Sequence, residues 1–270
     1  MSKAVASTEK YSAPALSKGL DILELLAAQT NGLKKNEIAQ ALDRSVNELY
    51  RMLAVLVARG YVLFDEESER YALSMRLFEL SHRYPPTRRL TAVAGRIMER
   101  TAAVLNQSMH LAIPYDGQIL VIAQIDSPGN NITVVRLGAQ VPIVLTSSGA
   151  SLLHQLTATE RRDICAKSEA FTTETMAVFE EAVAQVVSTG VCESPSSVIQ
   201  GVLNLSVPVF GYAGEVVAAL TIPHVQRLHA SSDPDVEACK RILIAAGRDI
   251  SERIGAGATV GANLTPPPML

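Results

Sequence analysis

Apolar residues recur along this chain in two rhythms. Between Leu16 and Ala28, Leu20, Ile22, Leu23, Leu25 and Leu26 share a broad face, which predicts a helix with a wide buried side. Asn31-Gly32 breaks it. Lys35 to Leu42, carrying Ile38, Ala39 and Leu42, reads as a shorter second helix. The turn Asp43 to Ser45 leads into a third. There, at about 100° per residue, Leu49, Met52, Leu53 and Leu56 point one way and Asn47, Arg51, Ala54 and Ala58 the other. Gly60 stops that helix. Tyr61-Val62-Leu63-Phe64 and Tyr71-Ala72-Leu73 then read as paired strands around the polar turn Asp65 to Glu69. Two short helices, a tight turn between them and a hairpin after them follow the order of a winged helix-turn-helix.

The pattern then changes. A helix beginning at Ser74 or Met75 meets Tyr84-Pro85-Pro86, where prolines predict a stop and a domain boundary. Leu90 to Leu105 repeats apolar positions at i, i+3, i+4, i+7 and is read as a linker helix. Strand-like runs follow at Met109–Ile113, Ile119–Ile125 and Ile132–Leu137, with Asp116-Gly117 as a hairpin turn. Helices are expected near Ser148–Leu156, Thr159–Ala166 and Thr175–Ser188. Strands are expected at Val202–Phe210 and Val216–Ile222, turning at Gly211–Gly214, and a closing helix from Pro234 to about Gly255. The fold class is therefore α+β, with helices expected on one side of an antiparallel sheet. The division is a DNA-binding head over 12–85, a second domain over 88–256 and a disordered tail over 257–270.

Charge sharpens the division. The chain carries a net charge of −3, yet residues 1–90 hold 13 Lys+Arg against 11 Asp+Glu, leaving 11 and 16 for the remainder. A mildly basic head on an acidic body suits a DNA-binding domain joined to a domain with another task. No apolar run approaches the ~20 residues that span a bilayer, and the N-terminal segment lacks the apolar core of a signal peptide. Cys165, Cys192 and Cys239 are far apart and odd in number, as free thiols in a reducing cytoplasm would be. No histidine pair has metal-ligand spacing, no glycine-rich nucleotide loop follows a strand, and no cofactor is called for.

The outward face of the third helix is the candidate reader of DNA. Asn47 and Arg51, one turn apart, can both donate to base edges or phosphates. Lys35, Arg44, Ser45 and Tyr50 flank them, and Arg70 is the one favourable contact on an acidic wing. Ser45 and Glu48 also form an S-x-x-E capping box, so Glu48 has a structural reading beside a base-reading one. Arg51 has the alternative of a solvated charge.

In order and spacing the chain resembles the IclR family of bacterial transcriptional regulators from about Leu16 to Ile254. The head matches through Tyr50-Arg51-Met52-Leu53, Arg59-Gly60-Tyr61-Val62 and Tyr71-Ala72-Leu73. The body matches through Met109-His110-Leu111-Ala112, Asp116-Gly117, Leu137-Gly138 before Val141-Pro142, Thr146-Ser147-Ser148-Gly149, Gly190-Val191, Gly201-Val202 before Val207-Pro208-Val209, and Ala218-Ala219-Leu220-Thr221. The resemblance implies a winged helix-turn-helix followed by a GAF-like domain that binds a small metabolite and works as a dimer or tetramer. Three departures stand out. Ser45-Val46-Asn47-Glu48 replaces the Pro-Lys-Ser-Thr of many members, Gly149-Ala150 replaces Gly-Lys, and Pro195-Ser196-Ser197 stands where an acidic pair is usual.

A candidate effector site follows. Ser147-Ser148-Gly149-Ala150 begins a predicted helix, whose unpaired N–H groups and dipole favour an anion. Asn204 and Ser206 share strand parity, and Thr221 lies on the next strand. The resemblance implies that these line the ligand cavity. The serines have the alternative of local capping. His110 and His224 occupy strand positions that could also face it, with His154 on a helix and His82 and His229 in loops.

The expected function is a cytoplasmic, ligand-responsive transcriptional regulator of a catabolic operon. Its partners would be an inverted-repeat operator in double-stranded DNA, a small carboxylate effector and a second copy of the chain, with no membrane. The alternatives are a small-molecule enzyme with an N-terminal dimerisation domain, and a helix-turn-helix used for protein contacts. Scattered hydroxyls, an amide and isolated histidines suit binding better than catalysis.

Overall fold

The third helix of the head is bounded at both ends by its own sequence. In a computed structural model that describes residues 13–83, 85–129, 133, 135–227 and 233–256, this helix is α3 (Val46–Ala58), preceded by α1 (Pro14–Ala27), β1 (Leu33–Lys34) and α2 (Lys35–Ala41). At its start the Glu48 N–H donates to Ser45 Oγ (3.3 Å), and the Ser45 N–H donates to Glu48 Oε2 (3.1 Å). At its end Tyr61 N–H reaches Leu56 O and Gly60 N–H reaches Val57 O, a Schellman closure that needs the left-handed φ of +75° at Gly60. The hairpin β2 (Val62–Asp65) and β3 (Arg70–Leu73) follows, then α4 (Arg76–Arg83).

The head buries Ile22, Leu26, Ile38, Ala39, Leu49, Leu53 and Val62 together. Each large side chain so enclosed contributes about 1.5–3 kcal/mol. The two-residue β1 escapes sequence reading because so short a strand has no period. It pairs Leu33 with Tyr71, on the open edge of β3. Gly32 makes that approach possible: a Cβ there would come within 2.6 Å of Tyr71 O.

The chain divides between Pro85 and Pro86 into two units. α4 ends at Arg83, ahead of the two prolines, as the sequence suggested. They open α5 (Pro85–Leu105), where a missing N–H costs nothing.

The second unit continues with β4 (Met109–Tyr115), β5 (Gln118–Ile125), β6 (Gln140–Pro142), α6 (Ser147–Leu153), α7 (Ala158–Cys165), α8 (Thr173–Thr189), β7 (Cys192–Pro195), β8 (Val202–Phe210), β9 (Val216–Val225) and α9 (Val236–Ile254). Its strands form one sheet in the order β6-β5-β4-β9-β8-β7, antiparallel throughout. Asp116 and Gly117 turn β4 into β5 with φ of +41° and +77°, the handedness a two-residue hairpin needs. Of the strand expected at Ile132–Leu137, Ile132 and Val134 lie outside the described residues and Val135 and Arg136 carry no strand; the described edge strand beside β5 is β6. The predicted tail over 257–270 and His229 also lie outside them.

Helices cover both faces of this sheet, not one. Leu111, Leu205, Val207, Leu220 and Ile222 pack with Ile97 and Met98 of α5 and Leu243 and Ile250 of α9. Ala112, Ile119 and Ala219 pack on the other face with α6 and with Phe179 and Val183 of α8. The central strands therefore read as near-continuous apolar runs, because both faces are buried. Cys165, Cys192 and Cys239 are buried free thiols, and burial pushes each up to about 11.

Candidate DNA interface and ligand cavity

In the head, Asn47, Arg51, Ala54 and Ala58 are all exposed on one side of α3, opposite buried Leu49 and Leu53. Arg44 and Ser45 are exposed at the turn before it. Tyr50 flanks the same surface, with the Lys35 ammonium 5.6 Å from its ring centroid, so a cation and a phenol from α2 and α3 stand side by side. Ser45 and Glu48 have structural work in the cap. The Glu48 carboxylate also meets the Lys18 ammonium at 3.1 Å, tying α1 to the start of α3. The Ser45 N–H and Lys18 hold that carboxyl below its ordinary range. Arg70 is engaged within the head. Its guanidinium donates to Gly32 O (2.8 Å) and lies 3.2 Å from Glu37, so it fastens the wing to the start of α2.

In the second unit a cavity of ≈ 310 Å³ opens between α6, the sheet and the segment after β7. Ser147, Ser148, Asn204 and Thr221 are on its wall, as are His110 and Arg136. Much of the remaining lining is apolar, including Ile119, Val141, Leu145, Val202 and Pro223. Gly149, Ala150 and Ser206 are not on the wall; they lie behind it.

Each displacement has a physical reason. The cap of α6 is Thr146, whose Oγ1 accepts the Gly149 N–H at 2.9 Å, so neither Ser147 nor Ser148 is spent there. Gly149 faces the turn before the helix. A Cβ on it would sit 2.1 Å from Ile143 O, so this residue is set by close packing. Ala150 enters the apolar cluster beneath α6. Ser206 shares a face with Asn204 as its parity requires, but it is fully covered. Its Oγ accepts from Thr221 Oγ1 at 2.8 Å.

Thr221 Oγ1 is also 2.8 Å from Ser148 Oγ, and Ser148 Oγ is 3.5 Å from His110 Nε2. Ser147 Oγ pairs with Ser194 Oγ at 2.7 Å. A line of hydroxyls from β8, β9 and α6 thus ends at a histidine. Burial alone drives that imidazole down to about 4, so it is neutral near neutrality. Its Nδ1 has no partner among the described residues. His224 does not join it: it alternates with Pro223 and so faces away from the cavity. Arg136 was not singled out in the sequence. It precedes the matched Leu137-Gly138, and only the fold brings it to the wall.

A winged helix-turn-helix carried with a separate sheet domain that holds a small-molecule cavity defines a ligand-responsive transcriptional regulator. Residues 15–66 match the IclR helix-turn-helix domain, and residues 82–252 match the bacterial transcriptional regulator IclR C-terminal domain. The chain belongs to the IclR family. It is 29% identical over 259 residues to the HTH-type transcriptional regulator KdgR of Dickeya chrysanthemi, covering 93% of this chain and 84% of that protein. It is 26% identical over 246 residues to the Pca regulon regulatory protein of Pseudomonas putida, covering 88% and 83%. The fold matches that of an IclR homolog from Microbacterium hydrocarbonoxydans complexed with 4-hydroxybenzoate. The TM-score is 0.74 at 22% identity, over 89% of this chain and 98% of that one.

Proposed function

We propose that this protein reads an operator through α3 and changes its hold on DNA when a small organic acid occupies the cavity. The observation that carries this reading is the cavity itself, at the lower end of the size range of small-molecule sites, with apolar walls and a few convergent polar groups. The Microbacterium relative binds an aromatic acid, and the same chemistry fits here: one carboxylate on an apolar or aromatic body. The genes controlled would handle that acid's uptake or breakdown. Ser147, Ser148, Asn204 and Thr221 are its polar contacts in this proposal, with Asn47, Arg51, Arg44, Lys35 and Tyr50 touching DNA.

The enzyme alternative has one feature in its favour, the approach of Ser148 to His110. A serine nucleophile needs a base whose other nitrogen is oriented by a third group. His110 Nδ1 has no such group among the described residues, and an imidazole held near 4 is a weak base. Binding is the better use of this pair.

A single reading helix covers too few base pairs for specificity, so two copies are proposed to bind an inverted repeat. The test is a gel-shift titration on DNA from the protein's own promoter region, at several salt concentrations, with and without small carboxylates first ranked by thermal shift. Salt-steep, sequence-selective binding that an acid alters supports the proposal. A protein that binds no DNA selectively, or that no acid stabilises, contradicts it. A footprint over one asymmetric half-site rejects the paired reading.

A further inference from the structure

Arg136 is the one permanently charged residue among the described residues that line the cavity. No aspartate or glutamate shares that lining to neutralise it. Its side is open to solvent, whereas His110, Ser148 and Thr221 are each at most 3% exposed. The lining also carries Ser147, Asn204, Ser196 and Ser197, but these two sets of polar groups mark its extremes and differ in kind. One offers a full positive charge where a ligand anion keeps part of its hydration. The other offers two buried hydroxyls and a neutral imidazole, all able to exchange donor and acceptor roles.

From this contrast we infer that the ligand's carboxylate lies at Arg136 and that a neutral hydroxyl of the same molecule meets Ser148, Thr221 and His110. The cavity then selects hydroxylated monocarboxylic acids. This rests on the proposal that the cavity binds an acid, and it deepens it.

Burying an anion among groups without charge is costly, and at the start of α6 two N–H groups are already taken. Thr146 already takes the Gly149 N–H through its side chain and the Ala150 N–H through its carbonyl. A guanidinium holds a carboxylate by paired, charge-assisted bonds. A hydroxyl arriving at Ser148 enters the line from Ser206 to His110 and can donate or accept as that line requires. Ile119, Val141 and Leu145 supply the apolar surface for the body of the molecule.

The test is calorimetric titration of the full chain and of Arg136→Gln and Ser148→Ala with two matched sets of probes. One is 4-hydroxybenzoate, benzoate and 4-hydroxybenzamide; the other is 3-hydroxybutyrate, butyrate and 3-hydroxybutyramide. In at least one set the wild type should prefer the hydroxy acid to its amide by about tenfold. Arg136→Gln should erase that preference while leaving the amide's affinity unchanged. Ser148→Ala should instead erase the preference for the hydroxy acid over the plain acid, about threefold to tenfold. Because Arg136 is exposed, its substitution tests the inference even if Ser148→Ala does not fold. Should Arg136→Gln keep the acid preference, the carboxylate sits elsewhere and this inference falls, while the acid-binding reading stands. If no acid of either set binds, both fall.

Discussion

Ser148 Oγ lies 2.8 Å from Thr221 Oγ1, which itself donates to Ser206 Oγ at 2.8 Å. One hydroxyl from α6, one from β9 and one from β8 thus satisfy each other in a region where each is at most 2% exposed. The middle member holds the other two.

Thr221→Val keeps the branched shape and removes that middle hydroxyl. Ser148 and Ser206 then lose a shared partner inside the fold, and the loss expected is about 1–3 kcal/mol. A urea titration followed by far-UV circular dichroism measures it. A midpoint equal to the wild type's would mean that the flanking serines find other partners.

Gly149→Ala tests a backbone approach. The added Cβ would be 2.1 Å from Ile143 O and 2.8 Å from Ile143 Cγ1. The carbonyl belongs to a tight turn over residues 143–145 that leads into α6, so it has little room to retreat. Overpacking of this kind costs about 1–3 kcal/mol. A melting temperature unchanged by the substitution would show that the turn yields freely.

His110 gives a pH signature. Its folded pKa is lowered from 6.5 to about 4, so between these values the unfolded chain binds the extra proton. Its contribution is therefore steady above 6.5 and is lost as pH falls toward 4. His154 and His224 are lowered in the same direction, also by burial first. The difference between the wild type and His110→Gln isolates one group. The wild type should lose stability more steeply across that window in chemical denaturation at stepped pH. Parallel curves would contradict the neutral buried imidazole.

Arg51→Ala addresses the DNA surface. Arg51 is exposed on α3, so the fold should be untouched, while specific operator affinity should fall by about 1–3 kcal/mol. Gel-shift titration against operator and scrambled DNA separates base reading from phosphate contact. An equal loss on both would make Arg51 a phosphate contact; no loss on either would remove it from the interface.

Much of this was legible because periodicity survives without tertiary knowledge. Leu49 and Leu53 against Asn47 and Arg51 is a one-helix statement, and Ser45 with Glu48 announces its own cap. Asp116-Gly117 and Gly60 mark turns that few other residues could make. What could not be read depended on a second segment. Arg70 looks like a free wing cation until Gly32 and Glu37 come beside it. Asn204 and Ser206 share a face by parity, but only the cover of α6 distinguishes a wall residue from one behind the wall. Arg136 sits beside matched residues and reads as an ordinary surface charge until the chain folds it onto the cavity. The second layer of helices was missed because a doubly buried strand and a singly buried one differ by polar residues that ligand contact also demands.

Along β9, Leu220 and Ile222 serve one face while Thr221 and Pro223 serve the other. Cavity wall and scaffold are thus encoded in alternate codons of a single strand. A substitution at an odd position remodels the cavity lining, whereas one at an even position is felt by the core.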